Sequence, residues 1–267
     1  MKAKWLEATN DPGTLWARGN YDIVGANLQD VADRLCHDAN FASGNRVLDV
    51  GAGTGNATIS AARLGCHVTG LDVSKGLLDR AKDRALNENL NIELVVGSAE
   101  DLPFPDASFD AVVSTFGVMF APDHKAAAAE ILRVCCIGGK IALANWSPDG
   151  VFGASGKAIG EFLPPGKDAR APALWGKESY LLDLFGQNVV FEFSHFTVPY
   201  QYANVDEYLT ILTGSYPPLI NTMAKLDRAN QDTLRGALRQ LYSDHNIATD
   251  GTFKMPMAYL QAIGRVE

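Results

Sequence analysis

The chain has 267 residues, 47% of them hydrophobic and 20% charged, with a formal net charge of -8 at pH 7. That length buries one substantial core, a single elaborated α/β domain or a core with a small appendage, and the acidic balance offers nucleic acid no basic surface. Met1 to Gly13 lacks an apolar run, and the longest mostly apolar stretch, Phe109 to Ala121, is broken by Asp110, Ser114, Thr115 and Gly117, so neither a secretion signal nor a membrane span is expected.

Trp5, Trp16 and Tyr21 precede Leu28, Val31, Ala32 and Leu35, whose i, i+3, i+4, i+7 spacing predicts an amphipathic helix from Val24 to His37. Residues 1–40 are thus expected to form a helical cover on one face of a sheet, with Trp16 and Tyr21 also placed to close over a ligand. Cys36, Cys66 and the adjacent Cys135 and Cys136 have neither zinc nor disulfide spacing, which points to reduced thiols in a cytoplasmic protein.

Arg46 to Asn56 is the centre of the chain. Val47, Leu48 and Val50 form a short buried strand that stops at Gly51, Gly53 and Gly55, and a helix follows from Asn56, ending at Gly65. A strand, glycine loop and helix brings bare backbone and a helix N-terminus to a ligand. The dinucleotide fingerprint needs its third glycine one residue later, where this chain has Asn56, and Asp49 at the strand end suits a cation better than a pyrophosphate. The spacing therefore favours a cationic nucleoside over a dinucleotide, while Asp49 could equally cap the loop through backbone N–H groups.

Within Cys66 to Ser74 a second short strand ends in Asp72, about 20 residues after the loop, where an α/β nucleotide fold places the carboxylate that receives the ribose hydroxyls. Ser74 is a plausible N-cap for a helix whose apolar face is Leu77, Leu78, Ala81 and Ala85. A third strand, Ile92 to Val96, leads into the Pro-containing loop Gly97 to Asp106, and a fourth runs from Phe109 to Ser114.

These segments together resemble class I S-adenosylmethionine-dependent methyltransferases, within them the group that includes the ubiquinone and menaquinone biosynthesis methyltransferases. The resemblance rests on Leu48-Asp49-Val50-Gly51-Ala52-Gly53-Thr54-Gly55, Gly70-Leu71-Asp72-Val73-Ser74, Ala99-Glu100-Asp101-Leu102-Pro103-Phe104, Ser108-Phe109-Asp110, and Leu132-Arg133-Val134 with Gly138-Gly139. It implies an α/β, Rossmann-like seven-stranded sheet, last strand antiparallel, flanked by helices. It also implies S-adenosyl-L-methionine, or its product S-adenosyl-L-homocysteine, with the methionine part on Asp49, Gly51 and Gly53. Asp72 would hold the ribose hydroxyls, Val73 would pack on the adenine, Ala99 and Glu100 would lie at its edge, and Ser114 would border the methyl group. Ser98 stands where many relatives have Asp, and Ile137 where Pro commonly precedes the glycines.

Beyond this core, residues 41–147, the chain turns to an acceptor. Phe116 and Met119 follow the fourth strand, and Trp146 follows a fifth, Lys140 to Asn145, all at the carboxyl edge where open α/β sheets bind ligands. His124 is expected to be an exposed first-turn residue of the helix opened by Pro122 and Asp123. Pro148 to Gly176 is expected to be part of a mobile cover, Glu178 to Phe185 a helix, and Val189 to Val198 a sixth strand with His195 half-buried on it. Residues 204–250 exceed the minimal fold. They predict a helical insertion bearing Tyr208 and Tyr216, an apolar pair of helices that serves as a lid or as a homodimer contact. Met255 to Val266 is the closing antiparallel strand.

The expected activity is methylation, at oxygen or carbon, of a small, largely apolar molecule lined by Trp16, Tyr21, Phe116, Met119, Trp146, Tyr208 and Tyr216. A cofactor-binding protein that transfers nothing is the alternative, and a dinucleotide oxidoreductase is disfavoured by Asn56. His37, His124, His195 and His245 form no constellation that names a base, and no metal site is expected.

Overall fold

A computed structural model describes residues 12–16, 18, 19, 21–164 and 170–267; Trp5 lies outside them. The described residues hold one seven-stranded sheet: β1 (Arg46–Val50), β2 (His67–Asp72), β3 (Ile92–Val96), β4 (Phe109–Thr115), β5 (Cys135–Trp146), β6 (Val189–Tyr202) and β7 (Phe253–Val266). Their order is β3-β2-β1-β4-β5-β7-β6, and β7 runs antiparallel to both neighbours. The inner strands bury apolar residues on both faces, Val47 and Leu48 in β1 and Val112 and Val113 in β4, because helices cover both sides of the sheet.

Those helices are α1 (Pro12–Trp16), α2 (Tyr21–Gly25), α3 (Gln29–Asp38), α4 (Asn56–Arg63), α5 (Lys75–Asn87), α6 (His124–Val134), α7 (Val151–Phe162), α8 (Glu178–Phe185), α9 (Val205–Ser215), α10 (Pro217–Lys225) and α11 (Arg228–Asp244). The single cover helix expected from Val24 to His37 is instead broken into α2, a 3-10 turn at Ala26–Leu28, and α3. Gly25 weakens helix there, and Asn27 spends its amide on the Ile23 carbonyl and the Tyr202 hydroxyl. Within α3 the apolar stripe Val31, Ala32, Leu35 and Cys36 is buried as the spacing predicts.

The Gly- and Pro-containing stretch after Trp146 contains the regular helix α7 and a 3-10 turn at Pro172–Gly176, where sequence suggested a mobile cover. That turn and α8 lie over the start of α6, so His124 is buried, not exposed. Its Nδ1 shares a 2.9 Å hydrogen bond with the Tyr180 hydroxyl, its ring meets Trp175 edge-on, and desolvation holds its pKa below the ordinary value. His195 departs the other way: β6 is the sheet edge, and the imidazole is 65% exposed beside Glu178 at 2.7 Å. The observed β5, β6 and β7 all extend beyond their expected limits, because neighbouring strands supply ladder partners that local propensity does not register.

Candidate functional site

The carboxyl ends of β1, β2 and β4 are held together by backbone. Gly51 and Ala52 donate to the Leu71 carbonyl at 2.8 and 2.9 Å, which folds the glycine loop back over β2. Gly51 has φ of 72°, and a Cβ there would lie 2.7 Å from Gly117 Cα, so the loops after β1 and β4 touch through two glycines. Gly53, at φ 53°, differs: a Cβ would meet nothing within 4 Å and would project into space the loop keeps clear.

Two buried carboxylates flank this loop. Asp72 accepts the Gly53 N–H with one oxygen and the Ser74 N–H with the other, both at 2.8 Å. Burial raises its pKa, and these two backbone bonds oppose the rise. Ser74 occupies the N-cap position of α5, but its hydroxyl caps nothing and is buried without a partner among the described residues. Asp49 is 1% exposed and takes the Thr58 hydroxyl, in the first turn of α4, at 2.7 Å. No cation faces it among the described residues, and desolvation lifts its pKa to about 7 against hydrogen bonds from Thr58 that pull it down. The Thr58 bond ties this carboxylate to the α4 turn, and burial leaves it without a counter-charge among the described residues.

Asp49, Gly51, Gly53, Asp72, Val73, Ala99, Glu100 and Phe116 line one cavity of about 130 Å³. Glu100 is partly committed: its carboxylate accepts the Asp123 N–H and lies 3.4 Å from the Ser98 hydroxyl. Ser114 does not line the cavity. Its hydroxyl donates to the Val50 carbonyl at 2.6 Å and accepts the Val118 N–H at 2.9 Å, clamping the ends of β1 and β4. The next residue, Thr115, faces the cavity instead, with a buried hydroxyl that has no partner among the described residues. Alternation along β4 explains the exchange: one step in register changes faces.

A second cavity of about 430 Å³ adjoins the first, and Trp16, Leu28, Phe120 and Pro122 line both. Trp146, Tyr208 and Tyr216 join Trp16 in its wall, while Phe116 stacks on Trp146 at 3.9 Å from the first cavity. Phe116 has φ of 54°, a conformation costing about 1–3 kcal/mol in a bulky residue, held by a 2.8 Å hydrogen bond from its N–H to the Ala144 carbonyl. Met119 lines neither cavity; it is fully buried in the core behind the 3-10 turn Val118–Phe120. Tyr21 lies in α2, but its side chain is outside the described part.

Sequence reasoning overlooked Arg84. Its guanidinium donates to the Thr54 carbonyl at 2.6 Å, the Asn56 side chain at 2.8 Å and Gln29 at 2.7 Å, tying the glycine loop to α5 and to the cover. A basic residue in the last turn of a helix reads as surface, and only the fold carries it under the loop.

These features fit a nucleoside bearing an ammonium group: a buried carboxylate without a cation, a second carboxylate with lone pairs beyond its two backbone bonds, and a glycine whose missing Cβ leaves room. Residues 48–143 match the methyltransferase domain family. Over those residues, about a third of its length, the chain is similar to methyltransferase domains. That family and the fold imply S-adenosylmethionine as the cofactor. The chain is 40% identical over 177 residues to an uncharacterised protein of Mycobacterium tuberculosis, a match covering 66% of this chain and 65% of that relative's length. It is 44% identical over 104 residues to a demethylmenaquinone methyltransferase of Renibacterium salmoninarum, covering 39% of this chain and 42% of the relative. Among solved structures, the YcgJ protein of Bacillus subtilis superposes with a TM-score of 0.63 at 18% identity, covering 89% of this chain and 98% of that one. The [4+2]-cyclase SpnF shares the fold at a TM-score of 0.57 and 20% identity, covering 89% of this chain and 81% of SpnF. No helix among the described residues is long and apolar enough to cross a membrane.

Proposed function

We propose that the protein transfers the methyl group of S-adenosylmethionine to an oxygen or carbon atom of a small, largely apolar acceptor. The observation that carries this reading is the shared wall: Trp16, Leu28, Phe120 and Pro122 face both the carboxylate-flanked cavity and the apolar one. In this reading Asp49 holds the ammonium of the methionine part, Asp72 the ribose hydroxyls, and Val73, Ala99 and Glu100 border the adenine. S-adenosylmethionine, when bound, supplies an electrophilic methyl group.

The side chains position and exclude water. Holding two reactants at near-attack distance supplies about 7–11 kcal/mol of a barrier, and an aromatic enclosure keeps competing water away. No histidine among the described residues lines either cavity, so the acceptor brings a nucleophile that is already ionised or that ionises without an imidazole. Helices α9 to α11, which supply one wall of the second cavity, act as its lid in this proposal, with acceptors of the phenol, quinol or lipophilic acid type.

SpnF, a cyclase on the same fold, favours one competing reading, a cofactor-binding enzyme that transfers no methyl group. Incubation with methyl-labelled S-adenosylmethionine and a panel of phenols, quinols and lipophilic acids separates the two. Label recovered in an acceptor supports the proposal; tight cofactor binding without label transfer across the panel favours the competing reading.

A further inference from the structure

The larger cavity contains one group that the donor site does not use. Its wall carries no charged side chain among the described residues, and most of its polar atoms are already satisfied. The Tyr242 and Ser155 hydroxyls bond each other at 3.2 Å, and the Thr222 hydroxyl donates to the Pro218 carbonyl at 3.0 Å. Tyr208 is different. It is 4% exposed and lines the cavity, yet its hydroxyl has no hydrogen-bond partner among the described residues.

Its ring cannot turn away to find one. It stacks on Phe253 at 5.4 Å, meets Tyr242 edge-on at 5.0 Å and leans on Tyr202 at 5.1 Å. Burial pushes the phenol far above its ordinary pKa, so it remains a neutral O–H donor at physiological pH. The ring is buried but the hydroxyl opens on the cavity, so a donor held rigidly in an apolar wall is poised for an acceptor atom on a ligand. Tyr208 lines only the larger cavity and is absent from the wall shared with the donor site, which sets it away from the transfer point.

Resting on the methyltransferase reading above, we propose that Tyr208 is the specificity residue for the methyl acceptor. Its hydroxyl donates to a carbonyl oxygen at the end of the acceptor remote from the methylated atom. The acceptor is therefore an aromatic-bodied, apolar molecule whose remote end carries an uncharged carbonyl. A charged group at that end finds no counter-charge in the wall, and a purely hydrocarbon end leaves the phenol unpaired.

Two isosteric probes test this, 6-acetyl-2-naphthol and 6-isopropenyl-2-naphthol, which differ by a carbonyl oxygen against a methylene. They are titrated calorimetrically into the full chain and into Tyr208→Phe, each saturated with S-adenosylhomocysteine. The expected result is about tenfold tighter binding of the acetyl probe by the wild type, and equal binding of the two by the variant. The variant should melt no lower than the wild type, since the hydroxyl removed has no protein partner, and should bind S-adenosylhomocysteine unchanged. Equal affinity of both probes for the wild type, a preference that survives in Tyr208→Phe, or binding of neither probe at millimolar concentration would each overturn the proposal. The donor reading fails separately, if S-adenosylhomocysteine does not bind the wild type in the preceding titration.

Discussion

The carboxylate-flanked cradle and the larger apolar chamber share a wall but are built by opposite means. The cradle is set by backbone: glycine contacts, strand-end hydrogen bonds to Leu71, and two carboxylates fixed by Thr58, Gly53 and Ser74. The chamber is a packing of aromatic and aliphatic side chains drawn from Leu15 to Met257, with no charge in its wall among the described residues. Of the residues lining it, only Phe120 and Pro122 fall inside the matched domain, 48–143. A ligand common to a whole family is gripped through backbone geometry that few substitutions can vary. A ligand peculiar to one protein is shaped by side chains that can be exchanged without disturbing the sheet.

The most damaging change should be one that strikes the backbone on which both regions depend. Gly51→Ala forces a Cβ onto Gly117 at a φ of 72°, and we expect a loss of about 3 kcal/mol in stability, read by urea denaturation. A variant as stable as the wild type would mean the two loops can separate at little cost.

Asp49→Asn should divide the regions next. S-adenosylmethionine affinity is expected to fall about 10- to 100-fold by calorimetry while the melting temperature of the cofactor-free protein holds or rises, because an ionised carboxylate buried without a cation is removed. Undiminished affinity would sink the role given to Asp49.

The same carboxylate sets a pH dependence with a definite sign. Its folded-state pKa is raised from 3.8 to about 7, so its contribution to the stability of the cofactor-free protein is fully present below the unfolded value and is lost as pH rises through about 7. A cationic ligand prefers the ionised form, so affinity for S-adenosylmethionine should rise with pH between 5 and 8 and level off above about 7. Calorimetric titrations across that window check it, and a flat profile, or one shared by Asp49→Asn, would remove Asp49 as the cause.

The smallest effect should come from Met119, which sequence placed in the acceptor pocket and the fold places in the core. Met119→Leu, nearly volume-conserving, should cost less than about 1.5 kcal/mol and leave acceptor KM unchanged. Trp16→Ala supplies the contrast: it removes part of the wall common to both cavities and should raise KM for donor and acceptor together.

Legibility in the sequence follows the same division. That Asp49, Gly51, Gly53 and Asp72 lie at one cavity was readable because strand period, glycine spacing and the interval to the second acidic residue are local quantities. Ser114 was misplaced by one residue against Thr115, since a strand's apolar run does not say which face looks at the ligand when both faces are buried. Trp16, Trp146, Tyr208 and Tyr216 were readable as large amphipathic side chains near a ligand-binding edge, although nothing local says that they meet. His124 and Arg84 were not readable at all: one is buried by a turn about 50 residues away, and the other is drawn beneath the glycine loop by the packing of α5.

The sequence alone therefore determined the order of the inner strands' chemistry, the kind of donor and the existence of helices beyond the core, because hydrophobic period and glycine placement act within a few residues. Only the tertiary structure decided that the carboxylate-flanked cavity adjoins an aromatic chamber whose wall, among the described residues, is uncharged and carries the Tyr208 hydroxyl. That arrangement depends on α1, α7, α9, α11 and β7 meeting in space, and packing between segments so far apart leaves no periodic trace in any one of them.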